Sequence, residues 1–146
     1  MKYKGIAIAA DHAGYELKNE IIKYLQEKGT KIKDFGTGSP DNSDYADFAH
    51  PLANAIENNE YPLGITICGS GNGMNMTVNK HKGIRSALCW NEEIARLARF
   101  HNDANICALP ARFIDKDLAI RIVNIFLNTG FEGGRHIERI KKIPLF

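Results

Sequence analysis

At 146 residues, 44% hydrophobic and 25% charged with 13 Gly and 5 Pro, the chain suits one core-forming domain over 1–146 and excludes a disordered or collagen-like protein. Its net charge of +2, from 19 basic and 17 acidic residues, is too small for bulk attraction to nucleic acid. The cysteines Cys68, Cys89 and Cys107 are odd in number and lack a C-x-x-C pair, which excludes a disulfide framework and a zinc motif and favours a reducing compartment. Met1-Lys2-Tyr3-Lys4-Gly5 runs into a strand-like segment without a signal-peptide core, and no apolar run approaches ~18 residues, so a cytoplasmic protein without a membrane partner is expected.

Lys4 to Ala10 reads as a buried strand, and Leu17, Ile21, Tyr24 and Leu25 recur at helical spacing until Gly29 offers a stop. Lys31 to Phe35 is the second strand. Gly36 to Asn42 is the longest turn-rich stretch, a candidate mobile loop. Asn42 or Ser43 then caps a predicted helix to about Glu57, with Pro51 inside it as a kink or restart signal.

Leu63 to Cys68 is the third strand, followed by a glycine loop and a short helix near Asn75 to Lys80. Ile84 to Cys89 and Asn105 to Leu109 are further strands, separated by a helix that starts near Asn91 and ends before His101. Asp115 opens a helix with Leu118, Ile122, Ile125 and Phe126 on its apolar stripe, Gly130 fits its end, and a polar tail helix starts near Gly134. Alternating strands and helices of this size predict an α/β fold, a doubly wound parallel sheet of about five strands.

The glycine loop carries the most chemistry. Ile67-Cys68-Gly69-Ser70-Gly71-Asn72-Gly73 places a thiol where a strand meets alternating glycines, whose backbone N–H groups can turn toward a small anion. A thiol in that field is expected to ionise more easily than free cysteine, so base, nucleophile and inert core residue are all open readings. Ligands in doubly wound sheets gather beyond the carboxyl ends of the strands, where Asp11 and Cys68 both fall. His101 closes a helix and precedes a strand, so the same rule puts it at the opposite end, and a neighbouring subunit is expected to supply it.

Asp11-His12-Ala13-Gly14, the loop from Ile67 to Gly73, Asn79-Lys80, His101-Asn102-Asp103-Ala104-Asn105 and Glu132-Gly133-Gly134-Arg135-His136, in that order, resemble type B ribose-5-phosphate isomerase and its sugar-phosphate isomerase relatives over nearly the whole chain. The resemblance implies a Rossmann-like or flavodoxin-like sheet, a dimer and no metal, and the expected reaction cycle needs no cofactor; a homodimer whose subunits share the site is the arrangement that the position of His101 suggests. It also implies interconversion of ribose 5-phosphate and ribulose 5-phosphate. Cys68 matches the proton-moving base of the cysteine branch. Met74 stands where another branch has glutamate and cannot take a proton. Ser70 with the loop from Gly69 through Gly71, Asn72 and Gly73 matches the enediolate cradle, a role worth ~3 kcal/mol per donor. His101 matches the ring-opening acid, and histidine switches charge near pH 6.5 without a large shift. Asp11 matches a partner of the sugar hydroxyls, Asn102 and Arg112 match substrate-binding positions, and His12, Arg135 and Arg139 match the phosphate end.

Several residues have plainer readings. Cys89 and Cys107 read as core, His50 and His81 as solvated, and His136 as pointing to another helical face. Tyr45 reads as a core residue or a sugar contact, and Arg135 and Arg139 without the resemblance read as a solvated face. The rival activity is isomerisation of a hexose 6-phosphate of the allose or galactose type. A rival of another class is a noncatalytic flavin- or nucleotide-binding module, although the loop fits neither Gly-x4-Gly-Lys-Ser/Thr nor Gly-x-Gly-x-x-Gly.

Overall fold

The computed structural model describes residues 5–145, so Lys4 of the predicted first strand lies outside it. Five strands form one parallel sheet: β1 (Gly5–Ala10), β2 (Lys31–Asp34), β3 (Gly64–Cys68), β4 (Ser86–Leu88) and β5 (Ile106–Pro110), in the order β2-β1-β3-β5-β4. The helices are α1 (Tyr15–Glu27), α2 (Tyr45–Glu57), α3 (Asn72–Val78), α4 (Glu92–Phe100), α5 (Lys116–Asn128) and α6 (Arg135–Lys141), with a 3-10 turn at His12–Gly14. The predicted α/β fold with a doubly wound sheet is the one observed.

Central strands are buried on both faces, which is why β1, β3 and β5 read as nearly unbroken apolar runs. Ile6, Ile8, Ala10, Ile65, Ile67, Cys107 and Leu109 pack with α1, α4 and α5, where Ile21, Leu25, Ile122 and Phe126 are fully buried. Ala7, Ala9, Cys68 and Ile106 face the other way, against Ala49, Leu52, Ala53 and Ile56 of α2 and Met74 and Val78 of α3. Each fully buried Ile or Leu contributes about 1.5–3 kcal/mol relative to exposure. Cys89 and Cys107 are core residues as expected. Pro51 does not interrupt α2, because the buried residues around it hold the helix against the sheet.

The chain leaves β1 toward β2 on one side, while β3 lies on β1's other side, so the strand order reverses between β1 and β3. A crevice opens outside the carboxyl ends at such a reversal. Asp11 directly follows β1 and Cys68 ends β3, the two strands that flank it.

Candidate active site

Asp11 is 6% exposed, and its Oδ1 accepts from the Ala13 and Gly14 N–H groups at 3.0 and 3.2 Å, capping the 3-10 turn. The turn sits directly on β3: the Asp11 N–H donates to the Ile67 carbonyl at 3.3 Å, and a Cβ at Gly14 would come within 2.7 Å of that oxygen. Only glycine permits this approach. His12 is tied to Ser43, the residue after the turn-rich stretch, through its N–H to Ser43 Oγ at 3.1 Å and the Ser43 N–H to His12 Nδ1 at 3.2 Å. With Nδ1 accepting, the neutral ring carries its proton on Nε2, which is left as the donor.

At the end of β3 the backbone turns sharply through Gly71, whose φ of +79° lies in the left-handed region and whose missing side chain leaves room for Leu88 and the Leu109 carbonyl. That turn starts α3 at Asn72, three residues earlier than the sequence predicts. Tyr45 lies over Gly73, where a Cβ would be 2.6 Å from its ring, so this half-exposed phenol borders the loop rather than the core. Arg112 lies over Gly69 in the same way, its Nη1 3.1 Å from that Cβ position, and its N–H donates to the Gly69 carbonyl at 3.0 Å. Ser70 Oγ accepts from the Asn72 N–H at 3.2 Å, which leaves its own hydrogen free to donate.

Cys68 is 4% exposed, and its thiol is pushed above its ordinary pKa. Burial is the main cause and the charge of Asp11 adds to it, while the N–H groups of Met74, Gly71 and Gly73 oppose them. This corrects the expectation of an easily ionised thiol. The glycine loop does aim N–H groups at the sulfur, but in the free chain desolvation outweighs them.

The remaining predicted residues gather at the opposite end of the sheet. His101 caps the carboxyl end of α4, and the loop behind it is pinned by two guanidinium groups. Arg85 donates to the Asn102 and Asp103 carbonyls, both at 2.9 Å. Arg99, 6% exposed, donates to Asp103 Oδ1 at 3.0 Å and to the carbonyls of Ala104 at 2.6 Å and Thr129 at 3.2 Å. The Glu132 N–H closes this region by donating to the Phe100 carbonyl at 2.9 Å. Arg135 and Arg139 lie four residues apart on α6, both exposed. Cys68 pairs with Pro110 while His101 precedes Ile106, so about 13 Å of parallel strand and the loop before it separate base and acid candidates within one chain.

The sequence profile of a family described as Ribose/Galactose Isomerase matches residues 6–143. The chain belongs to the ribose/galactose isomerase family. Ribose-5-phosphate isomerase B of Escherichia coli K12 is 41% identical over 140 residues, covering 96% of this chain and 94% of that one. The crystal structure of a ribose 5-phosphate isomerase from Thermotoga maritima superposes with a TM-score of 0.96 at 48% identity, covering 99% of both chains. Ribose-5-phosphate isomerase B from Mycoplasma genitalium, solved with bound ribulose-5-phosphate, superposes with a TM-score of 0.91 at 45% identity, covering 95% of this chain and 93% of that one.

In this member of the ribose/galactose isomerase family, sequence reasoning gave no role to two residues at the His101 end. His136 is buried and stacks on His101, with ring centroids 4.4 Å apart and planes 16° from parallel, rather than pointing elsewhere. Burial, then Arg135 and His101, hold its imidazole below the ordinary range. Glu132 Oε2 lies 3.9 Å from His101 Nε2 and 3.8 Å from His136 Nε2. The spacing of Glu132 and His136, four residues apart across a double glycine, was the available signal. The three ligand atoms fall within 4.8 Å of one another. His50 and His81 are not independently solvated either: they share a 2.7 Å contact, and His81 Nδ1 lies 2.9 Å from Glu57 Oε1.

Proposed function

We propose that the protein interconverts D-ribose 5-phosphate and D-ribulose 5-phosphate in the cytoplasm, as a homodimer whose two sites each combine both sheet ends, one from each copy. The observation that carries the reading is Cys68 at the strand-order reversal, in a chain that matches the ribulose-5-phosphate-bound Mycoplasma genitalium isomerase over 95% of its length. The dimer is supported by the separation of Cys68 from His101, which exceeds the reach of side chains acting on one small sugar.

The reaction follows from the groups. His101 protonates the ring oxygen O4 as the C1–O4 bond breaks, and the O1 hydroxyl releases its proton to water, leaving the open aldehyde. The Cys68 thiolate takes the C2 proton, and the electron pair moves onto O1 to give the enediolate. Ser70 and the amides from Gly69 through Asn72 to Gly73 hold that charge, a role worth ~3 kcal/mol per donor. The O2 proton passes to O1, the C2 carbonyl forms, and Cys68 returns its proton to C1. Asp11, Asn102 and Arg112 hold the sugar, while His12, Arg135 and Arg139 hold the phosphate through charge-assisted bonds. The cycle requires neither metal nor redox cofactor.

Two experiments test this reading. Turnover is compared on the five- and six-carbon sugar phosphates, and better efficiency on a hexose 6-phosphate overturns the pentose assignment. Cys68→Ala and His101→Ala chains, each expected to be nearly inactive alone on ribose 5-phosphate, are then unfolded together, refolded and assayed on that substrate. A shared site restores about a quarter of wild-type activity, because half the dimers are mixed and each of those has one intact site. No recovery rejects the shared site.

A further inference from the structure

One carboxylate oxygen faces two imidazoles at the His101 end. Oε2 of Glu132 lies 3.9 Å from His101 Nε2 and 3.8 Å from His136 Nε2, and the two rings stack at 4.4 Å. A single negative charge offsets a single imidazolium, and a second positive ring at stacking distance would repel the first. The two rings differ in setting: the His101 side chain is 35% exposed, and that of His136 is 6% exposed beside Arg135 and Arg139. Burial and the neighbouring guanidinium groups therefore disfavour charge on His136, which stands as a neutral plate behind His101.

Glu132 is itself held in place. Its N–H donates to the Phe100 carbonyl, its Oε1 lies 3.8 Å from Arg135 Nη1, and Arg99 ties the preceding Thr129 to the loop behind His101. The segment that carries the carboxylate and the helix end that carries the acid are thus braced as one unit.

We propose that Glu132 is the positioning residue of the ring-opening acid: its shared oxygen, together with the stacked His136 ring, fixes the orientation and charge of His101. The proposal rests on the assignment of His101 as that acid. It applies to one half of the chemistry. Ribose 5-phosphate arrives as a furanose and must be opened, whereas ribulose 5-phosphate cannot close a furanose, because its O5 carries the phosphate. Loss of the acid therefore leaves the proton transfer at Cys68 intact.

The readout follows from that difference. At low substrate the two directions remain tied by the equilibrium constant, so the test uses the dependence of rate on enzyme concentration. In Glu132→Gln the forward rate at saturating ribose 5-phosphate, where the equilibrium constant does not tie the two directions, is expected to fall roughly tenfold, the scale set by losing an opposite charge about 4 Å away. It should also stop rising with added enzyme as spontaneous ring opening becomes limiting. The rate from ribulose 5-phosphate should stay proportional to enzyme and within about twofold of wild type. Glu132→Asp, which keeps the charge on a shorter arm, should recover most of the forward rate. Equal losses in both directions, no loss in either, or an Asp variant no better than Gln each overturn the proposal. A wild-type protein inactive on both pentose phosphates would instead remove the isomerase reading, and this inference with it.

Discussion

The two ends of the sheet are built by different means. Around Cys68 the site is made of backbone: a cap on Asp11, a left-handed glycine at 71, and two glycines covered by Arg112 and Tyr45, all packed onto strand ends that are almost fully buried. Around His101 it is made of side chains, with Arg85, Arg99 and Glu132 bracing exposed groups through ion pairs and carbonyl contacts. The difference fits the tasks. Proton transfer at carbon, the role proposed for the first end, needs a fixed base in a water-poor niche, whereas ring protonation and phosphate capture, proposed for the second, need charged groups that meet a ligand from solvent.

The sharpest way to break the buried end is Cys68→Ala, which is expected to lower turnover in both directions by roughly 10²–10⁴-fold, the range for losing a general base, while inorganic phosphate still competes for the site. Residual activity near wild type would remove Cys68 as the base. Because its thiol lies above the ordinary value, kcat/KM for ribulose 5-phosphate should still be climbing with pH at about 8.5, and a plateau near neutrality would contradict the desolvated thiol. At the exposed end, Arg135→Ala should raise KM about 10–100-fold with kcat little changed, the scale of about 1.4–2.7 kcal/mol in charge-assisted contact. An unchanged KM rules out Arg135 as part of the phosphate clamp.

The smallest effect is expected at neither end. Glu57 accepts from the Gly83 N–H at 2.8 Å and pairs with His81, and its carboxyl lies below its ordinary value, with the Gly83 bond as the largest cause. A depressed carboxyl stabilises the fold above its unfolded value near 4.5, and that contribution fades as pH falls through the folded value. Glu57→Gln should therefore cost about 0.5 kcal/mol at pH 7, discounted for partial exposure, and progressively less as pH falls below 4.5, as read by urea titration. Catalysis should be unaffected.

Periodicity located each strand of the sheet and each helix to within a few residues, because buried parallel strands and amphipathic helices write their packing directly into apolar spacing. The strand order β2-β1-β3-β5-β4 was not legible, since pairing of distant segments leaves no local mark. The early start of α3 depends on a left-handed Gly71, which alternating glycines permit but do not require. The Cys68 thiol was misjudged for a related reason: sequence displays the nearby N–H donors but not the depth of burial that outweighs them. His136 was missed because helical spacing says where a ring points along its own helix, not that α4 ends against it. At the carboxyl ends Asp11 and Cys68 were readable because position relative to a strand end is a chain-local property. That His101 lies at the far end was readable on the same rule.

The five residues of β5 also act as a spacer. With Cys68 at one end and His101 at the other, lengthening or shortening a loop does not bring them together, because the distance is set by hydrogen-bonded strand rather than by flexible chain. On the shared-site reading, a newly made chain can fold completely and still be silent, and catalysis begins only at an encounter between two copies. At low abundance the flux would then rise with the square of the number of chains, so that expression level sets a threshold as well as an amount.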